Sequence, residues 1–239
     1  MKQKIFIIFL IITICISFPI IYKIITINKV INNIKLDTDI DQKTFKYEYE
    51  VLNNDNENEY IKININENNK VKYATFDEIT SLLNNGTGVI YFGFPSCPWC
   101  RRTLPIFLNA CSKYNIDNIH YYNALDIRDV KHLDDKNNII VDKQGDEKYY
   151  KLIQILYYYL GEYKGLNDPS IKRLYFPTYV FVKDGKILGV QVSSVNSYTS
   201  TSDDMTDEQK NELSNIFENY LSKMYEKINI CNDEKLGSC

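Results

Sequence analysis

The chain has 239 residues and a mass of 28.1 kDa, room for one ordinary domain with additions or at most two small ones. Hydrophobic residues at 44% and charged residues at 25% sit near soluble globular averages, which excludes global disorder. A formal charge of −3 without a dense Lys/Arg run argues against nucleic acid as a partner, and two histidines leave little for multi-histidine metal sites.

Lys2 and Lys4 give the first residues positive charge, and Ile5 to Tyr22 then runs 18 residues without a charged side chain. That length is at the lower edge for a bilayer-spanning helix and exceeds the apolar stretch of an ordinary cleaved signal. No small-x-small cleavage pattern follows. Residues 1–27 therefore read as an uncleaved, single-pass signal anchor, its basic end cytoplasmic and everything beyond it extracytoplasmic. A cleaved signal, which yields a secreted protein, and lipid attachment at Cys15 are the alternatives; Ile14 stands where lipidation wants a small residue.

Residues 28–44 are polar and aperiodic, as in a stalk. Phe45, Tyr47, Tyr49 and Val51 alternate with polar residues, as do Ile61, Ile63 and Ile65, and the polar run 53–58 lies between them. The pattern predicts a β-hairpin completing an extension over residues 28–70. Thr75-Phe76-Asp77-Glu78 is a capping-box sequence for a short helix that ends near Asn84-Asn85-Gly86. Val89-Ile90-Tyr91-Phe92 is a continuous apolar run, the mark of a strand buried on both faces. It leads into Phe94-Pro95-Ser96-Cys97-Pro98-Trp99-Cys100, and a helix interrupted by Pro105 follows.

Ile119 to Leu125 is a further strand candidate, and 126–145 is polar without a clear period. Tyr149, Leu152, Ile153, Leu156, Tyr159 and Leu160 recur at three- and four-residue steps, as on an amphipathic helix. Tyr179–Val182 and Ile187–Val192 flank Lys183-Asp184-Gly185-Lys186, where Asp-Gly suits a type I′ hairpin turn. Leu213, Ile216, Phe217, Tyr220, Leu221, Met224, Tyr225 and Ile228 form the apolar face of a last helix opened by Thr206-Asp207-Glu208-Gln209.

A Cys-x-x-Cys between a buried strand and a helix has a specific physical meaning. Cys97 would face the unpaired N–H groups and positive dipole end of that helix, which favours its thiolate. Such sites bring a cysteine pKa from about 8.5 to anywhere from roughly 3.5 to 7.5. Cys100, one turn on, would be more sheltered and near enough to close a disulfide. Pro98 fits an early helical position, and Arg101 and Arg102 would add positive potential. Half of a zinc site and a static disulfide are the competing readings. Zinc needs two more ligands, and His120, His132, Cys231 and Cys239 are poorly spaced for it, so no metal is expected.

The segment Val89 to Pro105 resembles the active-site region of the thioredoxin superfamily: strand, aromatic turn, Cys-x-x-Cys, and a helix with a proline five residues after the second cysteine. Phe176-Pro177-Thr178 is similar to that family's cis-proline element. With the anchor and the final helix, the layout most resembles exported thioredoxin-like proteins of Gram-positive bacteria, some labelled bacteriocin transport accessory proteins. The resemblance spans 71–228. It implies an α/β thioredoxin fold, a central mixed sheet flanked by helices, with residues 126–172 as an inserted, largely helical element. It also implies thiol–disulfide exchange by Cys97 and Cys100 around the active-site dipeptide Pro98-Trp99, with Phe94, Trp99, Phe176, Pro177 and Thr178 at the substrate.

On this reading the protein is monomeric and needs no diffusible cofactor, because both electrons reside on the Cys97–Cys100 pair. Its partners are thiols and disulfides of exported polypeptides and a membrane redox protein that recycles it. The direction, oxidising or reducing, stays open, and an anchored accessory protein that only docks peptides is the alternative of a different class. One departure stands out: the buried acid that thioredoxins carry six positions before the first cysteine is Tyr91 here. Cys111 is expected to be a buried, inert thiol. Cys231 and Cys239, in the tail 229–239, suit a local disulfide worth roughly 2.6 kcal/mol by chain entropy, or a second redox pair.

Overall fold

The computed structural model describes residues 2–225; the predicted tail, with Ile228, Cys231 and Cys239, lies outside them. The elements in order are α1 (Lys2–Glu50), β1 (Val71–Tyr73), α2 (Phe76–Asn85), β2 (Gly88–Phe92), α3 (Pro98–Lys113) and β3 (Ile119–Tyr122). Then come β4 (Val130–Leu133), β5 (Ile139–Lys143), α4 (Glu147–Leu156), β6 (Thr178–Lys183), β7 (Lys186–Val192) and α5 (Asp207–Tyr225). Five strands form one mixed sheet in the order β1-β3-β2-β6-β7, parallel from β1 through β2 and antiparallel beyond it. The expected α/β architecture, a central mixed sheet flanked by helices, is therefore present.

The period of two along each strand sorts the core into two layers. Val89 and Tyr91 of β2 and Tyr179 and Phe181 of β6 face α1, α3 and α5. Ile90, Phe92, Val180 and Val182 face α2 and α4. With both faces covered, Val89–Phe92 and Tyr179–Val182 have no solvent-facing side chains to make polar, and this explains their unbroken apolar sequences.

Several local expectations hold in detail. Thr75 and Glu78 form the full capping box at the start of α2. Thr206 and Gln209 exchange the equivalent pair of bonds at the start of α5. The turn between β6 and β7 carries positive φ at Asp184 (50°) and Gly185 (71°), as a type I′ turn requires. Pro105 lies inside α3, which runs on past it to Lys113.

The N-terminal extension differs from its predicted form. Residues 28–44 belong to α1, and so do Phe45 and Tyr49, which a hairpin had claimed. Phe45 and Tyr49 are fully buried whereas Tyr47 is 67% exposed. A spacing of four places side chains on the same face of a strand and of a helix alike, so the alternation could not distinguish them. Ile61 to Ile65 joins no sheet. The Ile63 N–H donates to Asn53 Oδ1 (3.0 Å) and the Ile65 N–H to Glu50 Oε1 (2.7 Å), both from the end of α1 or just after it. Because Phe45, Tyr49, Ile63 and Ile65 lie in the same core layer as β2 and α3, the extension belongs to the domain, and residue 70 marks no break between cores.

Side chains of the predicted anchor through residue 17 lie outside the described ones. Among the described residues no helix is long and apolar enough to cross a membrane. From Phe18 to Ile31, α1 leaves Phe18, Ile20, Ile21, Ile24, Ile25 and Val30 more than half exposed. The inserted element is less helical than expected: β4 and β5 pair as a separate antiparallel hairpin, and only α4 and a 3-10 turn at Tyr157–Tyr159 follow. This hairpin gave no strand signal because none of its residues is buried, so its apolar residues are not sorted to one buried side.

Gly185 carries the turn that docks on the end of α2, its N–H donating to Gly86 O at 2.8 Å. A Cβ there would collide with the Asn84 carbonyl in addition to straining a positive φ. Gly185→Ala is expected to destabilise the fold by about 1–3 kcal/mol in urea unfolding, while Gly161→Ala, whose Cβ meets nothing, changes it little.

Candidate active site at the start of helix three

Helix α3 begins where its sequence says it should. Cys97 is the N-cap, with extended backbone (φ −70°, ψ 117°), and Pro98 occupies the first helical position, where an N–H would have had no partner. The Cys97 sulfur accepts the backbone N–H of Cys100 at 3.2 Å, taking the role a Ser or Asp oxygen plays in an ordinary cap. Its thiol lies 3.7 Å from the carbonyl of Phe176. The Phe176–Pro177 bond is cis.

The two sulfurs occupy opposite environments. Hydrogen bonding from the Cys100 thiol, then from the N–H groups of Cys100 and Trp99, and the nearby Arg128 charge together hold the Cys97 thiol below its ordinary range, against the effect of burial. Cys100 is fully buried, and burial followed by its proximity to Cys97 pushes its thiol well up. Cys111 is also buried, and its thiol is raised by burial alone. Both Cys97 and Cys100 are free thiols here.

The predicted rim residues divide into two sets. Phe94 and Phe176 meet edge to face, 5.4 Å between centroids at 87°, beside the cysteines. Trp99, half-buried, meets Tyr198 edge to face at 5.5 Å. Trp99, Phe176, Tyr198 and Tyr159 line an open groove of about 650 Å³. Thr178 is different: it is fully buried, its hydroxyl donating to Tyr175 O at 2.7 Å, so its side chain is not on that rim. Pro177 is buried and its carbonyl accepts the Ser193 N–H at 2.8 Å. Pro98 is exposed.

The expected charges are also reassigned. Arg101 is 2% exposed and turned away from Cys97, donating to the carbonyls of Tyr49 (2.8 Å), Pro95 (3.0 Å) and Ile61 and to Asn53 Oδ1 (2.6 Å). It fastens the N-terminal extension to the active-site helix. Arg102 pairs with Asp204. The positive charge that bears on Cys97 comes from Arg128, in the inserted element, whose guanidinium lies 5.0 Å from the centre of the Phe176 ring. It fell in a polar run with no period or motif, so nothing local singled it out. Among the described residues no group of three or more His, Cys, Asp or Glu lies together as a metal site would require.

Tyr91 is fully buried, with its hydroxyl 2.8 Å from that of Tyr49 and its ring 6.2 Å from Phe107, on the face of α3 that also carries Cys100. Tyr49, which sequence reasoning assigned to a peripheral hairpin, thus stands one residue removed from a reacting atom. No known protein family matches the chain, and no curated protein matches it.

Removing the Arg128 charge should raise the Cys97 midpoint. In Arg128→Ala the pH profile of iodoacetamide alkylation at Cys97 is expected to move upward by a few tenths to about one unit, with a smaller or no shift in Arg128→Lys. Equal profiles for the wild type and Arg128→Ala would remove Arg128 from the site.

Proposed function

We propose that the chain is a thiol–disulfide oxidoreductase of the thioredoxin superfamily that exchanges disulfides with exported polypeptides through Cys97-Pro98-Trp99-Cys100. The observation that carries this reading is the asymmetric dithiol at the start of α3. One sulfur caps the helix with a lowered pKa, the other is sealed one turn on, and a cis-proline carbonyl neighbour lies beside the first. A structural thiol pair has no need of that asymmetry, whereas exchange needs a thiolate nucleophile and a protected resolving thiol.

In the reducing direction the Cys97 thiolate attacks a substrate disulfide, a sulfur–sulfur bond to Cys97 forms, and one substrate thiolate leaves. The Cys100 thiolate then attacks the Cys97 sulfur, the mixed disulfide breaks, and the second substrate thiolate leaves. The substrate gains two electrons and the enzyme pair is oxidised. The oxidising direction reverses each step. Stabilising the Cys97 thiolate favours the reduced pair and so moves its potential toward the oxidising end of the family's range, about −120 mV. The groove beside Trp99 and Phe176 suits flexible polypeptide, its aromatic walls contacting side chains of any sequence.

The site of action in this proposal is extracytoplasmic, with the chain held at the membrane by its first helix. The charge-free run Ile5 to Tyr22 and the exposed apolar residues of α1 that continue it support that placement. Recycling then falls to a membrane redox partner.

Wild-type protein is expected to accelerate insulin reduction by dithiothreitol or reactivation of scrambled ribonuclease. Cys97→Ser should fall to the uncatalysed rate, and Cys100→Ser should accumulate a mixed disulfide with its substrate. Absence of wild-type activity in both assays, with Cys97→Ser indistinguishable from it, would sink the proposal and leave a peptide-docking role.

A further inference from the structure

The fully buried Cys100 must carry negative charge when it resolves a mixed disulfide, and burial opposes that charge. Cys100 and Phe107, seven residues apart, share one face of α3, and Phe107 packs 6.2 Å from the Tyr91 ring. The groups that bear on the Cys100 sulfur are the Cys97 thiol, the Tyr91 hydroxyl and the Phe94 backbone N–H. Tyr49, Tyr121 and Tyr179 lie within its field, and Arg101 is the charged side chain beside Tyr49 and Tyr91. None of these is a carboxylate.

Tyr91 is held firmly in place. Its ring stacks on Tyr179 (5.2 Å, 14°) and on Tyr121 (5.5 Å, 27°), and its hydroxyl lies where any side chain at residue 93 would collide with it, so glycine there keeps the space open. The Tyr49 hydroxyl, 2.8 Å away, is the other half of the pair. Tyr49 is set by α1, by its contact with Phe45 (4.7 Å) and by Arg101, which binds its backbone carbonyl. Burial pushes both phenols well above their ordinary pKa, so both stay protonated donors at any pH where a thiol ionises.

We infer that the Tyr91 hydroxyl donates a hydrogen bond to the Cys100 thiolate during resolution, and that Tyr49, delivered by the N-terminal extension, orients it by donating to the Tyr91 oxygen. Tyr91 is the catalytic residue of this pair and Tyr49 a positioning residue. The inference rests on the exchange chemistry proposed above. In the resolving step the Cys100 proton passes to solvent, the Cys100–Cys97 bond forms, the bond from Cys97 to the substrate sulfur breaks, and its electron pair leaves with the substrate. Both tyrosines keep their protons throughout. A neutral donor lowers the energy of the anion without adding a charge to the core.

The test uses the full chain with Cys15, Cys231 and Cys239 replaced by serine, reduced and mixed in stopped flow with one equivalent of dithiobis(nitrobenzoate). Attack by Cys97 releases the first thionitrobenzoate, and attack by Cys100 releases the second. Tyr91→Phe is expected to slow the second release about tenfold at neutral pH and to move its pH profile upward, with the first release within twofold of wild type. Tyr49→Phe should give the same split at about threefold. Tyr73→Phe, which loses a hydroxyl bonded to Glu48, should leave both releases unchanged. Should Tyr91→Phe not fold, the unaltered chain labelled with ¹³Cζ-tyrosine supplies the reading: one buried tyrosine signal must shift as Cys100 ionises. A second release in Tyr91→Phe equal to wild type, or no shifting tyrosine signal, overturns the inference. A wild type without a second release overturns the exchange reading itself.

Discussion

A single hydrogen bond, from the Cys100 N–H to the Cys97 sulfur, organises the region on which every functional argument here depends. It makes a thiol the cap of α3, sets the two sulfurs one turn apart, and ties the reactivity of Cys97 to the geometry of the helix start. Remove the helix and Cys97 is an ordinary cysteine. Remove the strand β2 that feeds it and the cap has no fixed position, because β2 is anchored in both core layers.

Around that bond the protein arranges contributions from remote parts of the chain. The inserted element between β3 and β6 delivers Arg128 to the Phe176 ring. The N-terminal extension delivers Tyr49 to Tyr91, and Arg101 secures that extension by bonding to four groups, three of them before residue 62. Arg101 is a costly residue to bury, and only its bonds to so many acceptors offset that cost. Segments that look like additions to a small core therefore act on the same two sulfurs, one through charge and the other through a neutral donor.

Charge and hydrogen bonding are used differently on the two thiols for a reason of exposure. Cys97, 3% exposed, adjoins Phe176 and Trp99 of the groove wall, where a cation and backbone N–H groups can favour its thiolate at rest. Cys100 is fully buried, where a permanent charge would be expensive to keep, and apart from Cys97 the groups that bear on it, the Tyr91 hydroxyl and the Phe94 N–H, are neutral donors. The resulting asymmetry follows from depth in the structure as much as from residue type.

Much of this was legible from sequence because it is encoded locally. The apolar run of β2, the capping box of α2, the Asp-Gly turn and the cysteine spacing each depend on neighbours within a few residues, and each led to the correct element. What remained hidden depends on distance. Phe45 and Tyr49 fit a strand and a helix equally, since a step of four serves both periods, and only packing against β2 decided between them. Thr178 was read as a contact residue because it adjoins Pro177, whereas its depth below the surface is a property of β6 and its neighbours. Arg128 and Tyr49 reach the site across gaps of tens of residues that no local pattern records. The sequence by itself determined the spacing of the two cysteines and the kind of element on which they sit; which charge and which hydroxyl attend them was decided only by tertiary packing, because electrostatics and hydrogen bonding act through space.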